Sequence, residues 1–190
     1  MERLGGIPQN PAVMGGKPCI FMKRFAMRVA IAILLCLAIA VPALAAPAQF
    51  TGRVVAIADG NTIIVLTPDK RQVKIRLYGI DCPESGQAFG KRAKEATSEV
   101  VLGKKVTVQP IEQERDDWAV AIVLMSDGRS LNERLIREGM AWVYSQYCKL
   151  EEICAPLRSL EQAAKMSKRG LWIDEAPIPP WEWRDGLQCF

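Results

Sequence analysis

Between residues 49 and 80 the chain writes three apolar, β-branched runs with almost nothing between them. They are QFTGRVVAIAD (49–59), NTIIVLT (61–67) and RQVKIRLYGI (71–80), broken at Gly60 and at Pro68-Asp69-Lys70. Breaks this short leave no room for a crossover helix, so each run must turn back along the one before it. The result is an antiparallel three-strand meander. In the third run Val73, Ile75 and Leu77 alternate with Lys74, Arg76 and Tyr78. Strand side chains alternate between faces, so Arg76 does not share the face of the apolar core.

Residues 89–170 add two more strands and several helices. FGKRAKEATSEVVLG (89–103) spaces Ala93, Ala96, Val100 and Val101 helically and stops at Gly103. KKVTVQPI (104–111) reads as a strand, EQERDD (112–117) as a charged loop, and WAVAIVLM (118–125) as a strand apolar enough to be central. Ser130 and Glu133 form a capping box that opens a helix running to Glu138. MAWVY (140–144) is a short extended stretch, and Pro156 is expected to open the last helix, which Gly170 stops. Five strands, with a helix between the third and fourth and more helices after the fifth, is the element order of an oligonucleotide/oligosaccharide-binding barrel. The expected fold class is therefore a five-stranded β-barrel with about three helices. The Pro/Trp-rich tail, 174–190, is expected to pack on it. Trp181 and Trp183 either pin that tail or offer a stacking platform.

The N-terminal part reads differently. Residues 22–46 carry Lys23, Arg24 and Arg28, then an unbroken apolar run (29–40), then Ala43-Leu44-Ala45. This is the pattern of a secretory signal peptide, with a retained membrane anchor as the alternative. Residues 1–21 read as an extra N-terminus ahead of Met22. The expected organisation is 1–45 as signal, 46–173 as barrel domain and 174–190 as tail. The expected location is periplasmic or secreted, with no stable membrane association after cleavage.

Removing 1–45 removes the charge excess. The whole chain holds 25 basic and 21 acidic residues, but five of the basic and one of the acidic ones lie in 1–45. The remainder balances at 20 of each, so bulk charge lends nucleic-acid binding no support and a local patch must carry it. Lys91, Arg92, Lys94, Lys104 and Lys105 are one such cluster, or simply a solvated face. Export predicts disulfides among Cys82, Cys148, Cys154 and Cys189. Cys148 and Cys154, closing YCKLEEIC, are the first expected pair. Cys82–Cys189 would follow by elimination, which sequence alone leaves open. There is no histidine, which excludes Ser-His and Cys-His nucleophiles and, with the cysteine spacing, a zinc site.

Two turns concentrate polar residues. Asp59-Gly60-Asn61 precedes the second strand, and GIDCPES places Asp81 and Glu84 some 20 residues later. If the turns meet, they could hold a metal. DGNT, IRLYGIDCPE, FGKRAKEATSEVVLGKKVTV, SDGRSLNERLIREGMAWV and LEQAAKMSKRGLW, in this order from about Gly52 to Trp172, resemble the staphylococcal nuclease (thermonuclease-like) family. The resemblance implies the same five-stranded barrel and, for active members, calcium-dependent hydrolysis of DNA and RNA phosphodiesters. By the same resemblance Arg76 is a phosphate-binding arginine, Asp81 a calcium ligand, Cys82 a ligand through its backbone carbonyl, and Glu84 the general base.

Two positions depart from that pattern. Asn61 stands where the family has a second calcium aspartate, and Trp118 where it has a second arginine. One unit-charge attraction at a metal site is worth about 4 kcal/mol at an effective dielectric of about 20. Removing one preorganised stabiliser of transition-state charge costs roughly 10²–10³ in rate, and two such losses do not simply add. The resemblance with these departures implies calcium binding that is weak or absent, and hydrolysis that is weak or lost. Compensation from Arg115, Asp116 or Asp117 is one alternative. Another is that Arg76 merely bonds both acids in a stripped site. At the level of function, the alternative is a non-catalytic exported module that binds nucleic acid, polysaccharide or a protein partner.

Overall fold

A computed structural model describes residues 48–115 and 117–187, with the backbone alone at 113–115 and 187. The expected signal segment, its cleavage site, Asp116, the side chain of Arg115, and Cys189 lie outside the described residues. The three-strand meander forms as β1 (Phe50–Asp59), β2 (Thr62–Leu66) and β3 (Gln72–Leu77), joined by antiparallel ladders. Two further strands, β5 (Lys105–Arg115) and β6 (Trp118–Leu124), close a barrel in the order β1-β2-β3-β6-β5, and β5 pairs back onto β1. β6 lies parallel to β3 and antiparallel to β5, so it is central, as its apolar run requires. A two-residue strand, β4 (Ile80–Asp81), pairs outside the barrel with β7 (Trp142–Val143). The closed five-stranded barrel is the expected fold class.

The barrel interior is filled by the alternate residues that the pattern singles out. Val54, Ile63, Val65, Ile75, Val108, Ala119, Ala121 and Val123 have no solvent exposure. Arg76, between buried Ile75 and Leu77, is only partly covered, as alternation demands.

Helix α1 (Gly90–Val101) buries Ala93 and Val101 in the core. Helix α2 (Leu131–Arg137) is opened by Ser130, whose hydroxyl accepts from the Glu133 amide at 3.3 Å. Its Asn132 is fully buried. The side chain accepts from Val123 N and donates to the carbonyls of Tyr78 and Ala121. That clamp holds α2 against β6 and the end of β3 without leaving a buried amide unpaired.

Two local expectations need correction. EQERDD is not a loop: β5 continues through Arg115, which pairs with Trp118 across a tight hairpin. Register shifts at Pro110/Glu112 and at Gln113/Arg115 twist this extension. Its backbone ladder with β6 supplies the pairing, so a charged run can be strand without an apolar face. Helix α3 (Glu151–Met166) begins five residues before Pro156. The first turn is set from outside the helix. Cys148 and Cys154 form the expected disulfide, and the Tyr78 hydroxyl accepts from Lys149 N and Leu150 N. Cys82 is a free buried thiol, and the expected partner Cys189 lies outside the described residues.

The tail packs on the domain and adds a fourth helix, α4 (Pro180–Leu187), after a 3₁₀ turn at Gly170–Ile173. Trp181 stacks on Tyr144, centroids 4.8 Å apart and planes 4° from parallel, and meets Trp142 edge-on at 5.9 Å. Gln87 Nε2 donates to Ile178 O at 2.6 Å. The tail tryptophan is thus an anchor.

Candidate functional site

The turn 59–61 and the segment 81–84 do meet, and two glycines make the approach possible. A Cβ on Gly60 would stand 2.6 Å from Cys82 Cβ and 2.9 Å from Ala93 Cβ. A Cβ on Gly90 would overlap Glu84 O at 1.8 Å. Helix α1 therefore starts directly on the segment that carries Glu84, and Thr97 Oγ1 donates to Gly60 O at 2.6 Å. Asp59 acts as a turn former, accepting from Asn61 N at 2.9 Å. Glu84 is fixed from both sides of its backbone. Its N–H donates to Gln87 Oε1, and its carbonyl accepts from Gln87 N. Asp81 is placed by pairing with Trp142, and β7 is held in turn by Glu161, whose Oε1 accepts from Val143 N at 2.8 Å.

Around this junction lies an open cleft of about 480 Å³. Asn61, Arg76, Asp81, Cys82, Glu84 and Trp118 all line it, so it brings together every expected site residue. Asp59, Lys74, Tyr144, Tyr147 and Arg184 line it too. Lys74, Arg76 and Arg184 balance Asp59, Asp81 and Glu84, so the described lining has no net formal charge. Lys74 Nζ stands 5.3 Å over the Trp118 ring. The tryptophan is thus a cleft wall that carries a neighbour's cation and no charge of its own.

Arg184, on α4, is the residue that sequence reasoning passed over. Its guanidinium spans the two acids: Nη2 donates to Asp81 Oδ2 at 2.8 Å and Nη1 to Glu84 Oε1 at 2.6 Å. Of the two acids, Arg76 pairs with Asp81 alone among the described contacts, Nη2 to Oδ1 at 3.6 Å. The stripped-site alternative had Arg76 bonding both acids, but Arg184 does so. The only signal was an arginine just beyond Trp183, in a segment already read as packed. Nothing in that spacing points to residues 100 positions away.

Burial pushes the Asp81 carboxyl above its ordinary value. The Arg184 hydrogen bond and the charges of Arg184 and Arg76 pull the other way without overcoming it. Burial works against the Arg184 charge, but its bonds to Asp81 and Glu84 outweigh that and hold the guanidinium more firmly protonated. The Cys82 thiol is pushed well up, first by burial and then by Asp81, Asp59 and Glu84. It stays protonated and is no nucleophile.

The amide of Asn61 turns its nitrogen inward. Nδ2 donates to Ile80 O at 3.2 Å and to Asp81 Oδ1 at 3.3 Å. Both partners are acceptors, so the inward atom must be the donor. Calcium takes six to eight oxygens. Here Asn61 presents N–H, Asp81 and Glu84 are taken up by a guanidinium, and no group of three His, Cys, Asp or Glu suited to a metal occurs among the described residues. The cleft in this arrangement does not fit a calcium ion.

The fold is thus a closed five-stranded barrel with Asp81, Glu84, Arg76 and Arg184 gathered in one cleft. Residues 74–174 match the family described as Staphylococcal nuclease homologue, and the chain belongs to that family. It is 39% identical over 137 residues to a protein of Escherichia coli O157:H7 named "Uncharacterized endonuclease", covering 72% of this chain and 86% of that one. It is 36% identical over 163 residues to a "Micrococcal nuclease" of Shigella flexneri, covering 82% and 90%. It is also 36% identical over 173 residues to "Protein ParB" of Escherichia coli, covering 86% and 94%.

Proposed function

We propose that this protein is exported and engages the phosphodiester backbone of nucleic acids in the Asp81–Glu84 cleft, with hydrolysis that is weak or lost. The observation that carries the reading is the convergence of Arg76, Asp81, Glu84 and Arg184 on one groove, while Asn61 and Trp118 remove a carboxylate and a cation from it. Relatives named as nucleases support the substrate class. Planar guanidinium forks suit phosphate oxygens, and the partly exposed Arg76 and exposed Lys74 line the groove and can meet them. Glu84 is the group able to position water, but the Arg184 guanidinium already occupies its Oε1. The reading needs no step through calcium, because the donors present do not suit that ion.

The test is a nuclease and binding assay on the protein as expressed and processed by its host, on labelled DNA and RNA, with calcium and with chelator. The expected result is retained binding with little cleavage, and cleavage that rises in Asn61→Asp/Trp118→Arg. Brisk chelator-sensitive cleavage by the parent, abolished in Glu84→Gln, would overturn the loss of activity. Absence of any nucleic-acid binding, with a polysaccharide or protein bound in its place, would overturn the substrate class. Mass analysis of the exported product, expected to begin near residue 46, tests the processing.

A further inference from the structure

Asn61 and Arg184 depart in opposite directions from what a divalent-ion site needs, and the two changes match. Acids at 61, 81 and 84 around a divalent ion would leave one net negative charge. With Asn61 in place of one acid, Asp81 and Glu84 around a single guanidinium leave the same residue of charge. The geometry agrees. Arg184 bonds Asp81 at 2.8 Å and Glu84 at 2.6 Å from the two nitrogens of one fork, and the Asn61 amide donates to the other Asp81 oxygen.

We propose that Arg184 is the resident cation of this cleft, occupying the gap between Asp81 and Glu84 and keeping divalent ions out. The cation is tethered. Trp181 stacks on Tyr144, and Gln87 holds the Ile178 carbonyl at 2.6 Å, so α4 presents Arg184 at high effective concentration. A dissolved ion must displace a bound fork and strip two hydrogen bonds, and it finds at Asn61 a donor in place of an oxygen. A consequence is that phosphodiester binding in the cleft is insensitive to chelator.

This inference rests on the same cleft being the functional one, but its readout is ion binding. Calcium calorimetry and tryptophan-sensitised terbium luminescence are measured on wild type, Arg184→Gln, Asn61→Asp, Arg184→Gln/Asn61→Asp and Trp181→Ala. Far-UV circular dichroism checks each fold. The double variant is expected to bind calcium at least about tenfold more tightly than wild type, because ligand charge sets affinity. Arg184→Gln alone should fall between. Trp181→Ala, which loosens the tether without touching either acid, should move the same way, and it keeps the test open if an Arg184 variant fails to fold. Wild type binding calcium as tightly as the double variant would overturn the proposal. So would Asn61→Asp alone reaching the double variant's affinity, or affinity unchanged in both Arg184→Gln and Trp181→Ala. Loss of oligonucleotide binding in every protein would sink the proposed function and leave the ion result standing.

Discussion

The contact between Arg184 and Asp81 joins residues 103 apart in sequence, and a double-mutant cycle measures whether it exists in solution. The perturbations are Asp81→Asn, Arg184→Gln and both together. The Asp81 side chain is only 3% exposed, while that of Arg184 is 34% exposed. A hydrogen bond to a charged group is worth about 1.5–3 kcal/mol. Loss of one partner of a fully buried pair costs about 3–5 kcal/mol, and an exposed pair contributes about 0–1 kcal/mol. With one partner buried and the other one-third open, the expected coupling is about 2 kcal/mol. The bond from Arg184 to Glu84, whose side chain is 39% exposed, should couple by about 0.5–1 kcal/mol. The ordering of the two cycles is thus an internal control.

Denaturant unfolding gives the global term. Because α4 is a terminal helix held by a few contacts, it can open without the barrel, so native-state hydrogen exchange at residues 181–187 gives the local one. Coupling below about 0.5 kcal/mol by both measures is ordinary additivity. That result would refute the bridge and everything argued from it.

Two further outcomes concern the same junction. The Asp81 carboxyl titrates above its ordinary value of 3.8, so in the window above that value the folded state binds more protons than the unfolded one. The Asp81 contribution to stability therefore falls as pH rises through the window. Wild type should lose stability relative to Asp81→Asn as pH rises from about 4, and a difference of the opposite slope would refute burial as the dominant cause. Gly60→Ala would press a methyl to 2.6 Å from Cys82 Cβ and 2.9 Å from Ala93 Cβ. Overpacking of this kind costs about 1–3 kcal/mol, and an unchanged denaturation midpoint would show that α1 does not hold the turn as described.

Much of the barrel was legible in the order of residues. Period-two alternation and short turns are local properties, and they place Arg76 off the core before any fold is known. A short cysteine spacing and an N-cap act within a few residues, and the Cys148–Cys154 disulfide and the Ser130 cap both formed. The misreadings share a cause. EQERDD looked like loop and Pro156 looked like a helix start because each was judged by its own composition. Their structure is set by partners elsewhere: the β6 ladder for the first, and the Cys148–Cys154 disulfide with the Tyr78 hydroxyl for the second.

The site divides in the same way. Sequence by itself, through the family resemblance that its motifs carry, drew Asn61, Arg76, Asp81, Glu84 and Trp118 into one question. It could not determine which way an amide turns, since that depends on the Ile80 carbonyl and the Asp81 carboxylate lying where both need a donor. Nor could it bring Arg184 to the acids, because its position depends on aromatic packing at Tyr144 and Trp142 and on one hydrogen bond at Gln87. The chain's order wrote a cleft missing one acid and one cation. Only the folded tail decided that a cation from the far end of the chain sits between the two acids that remain.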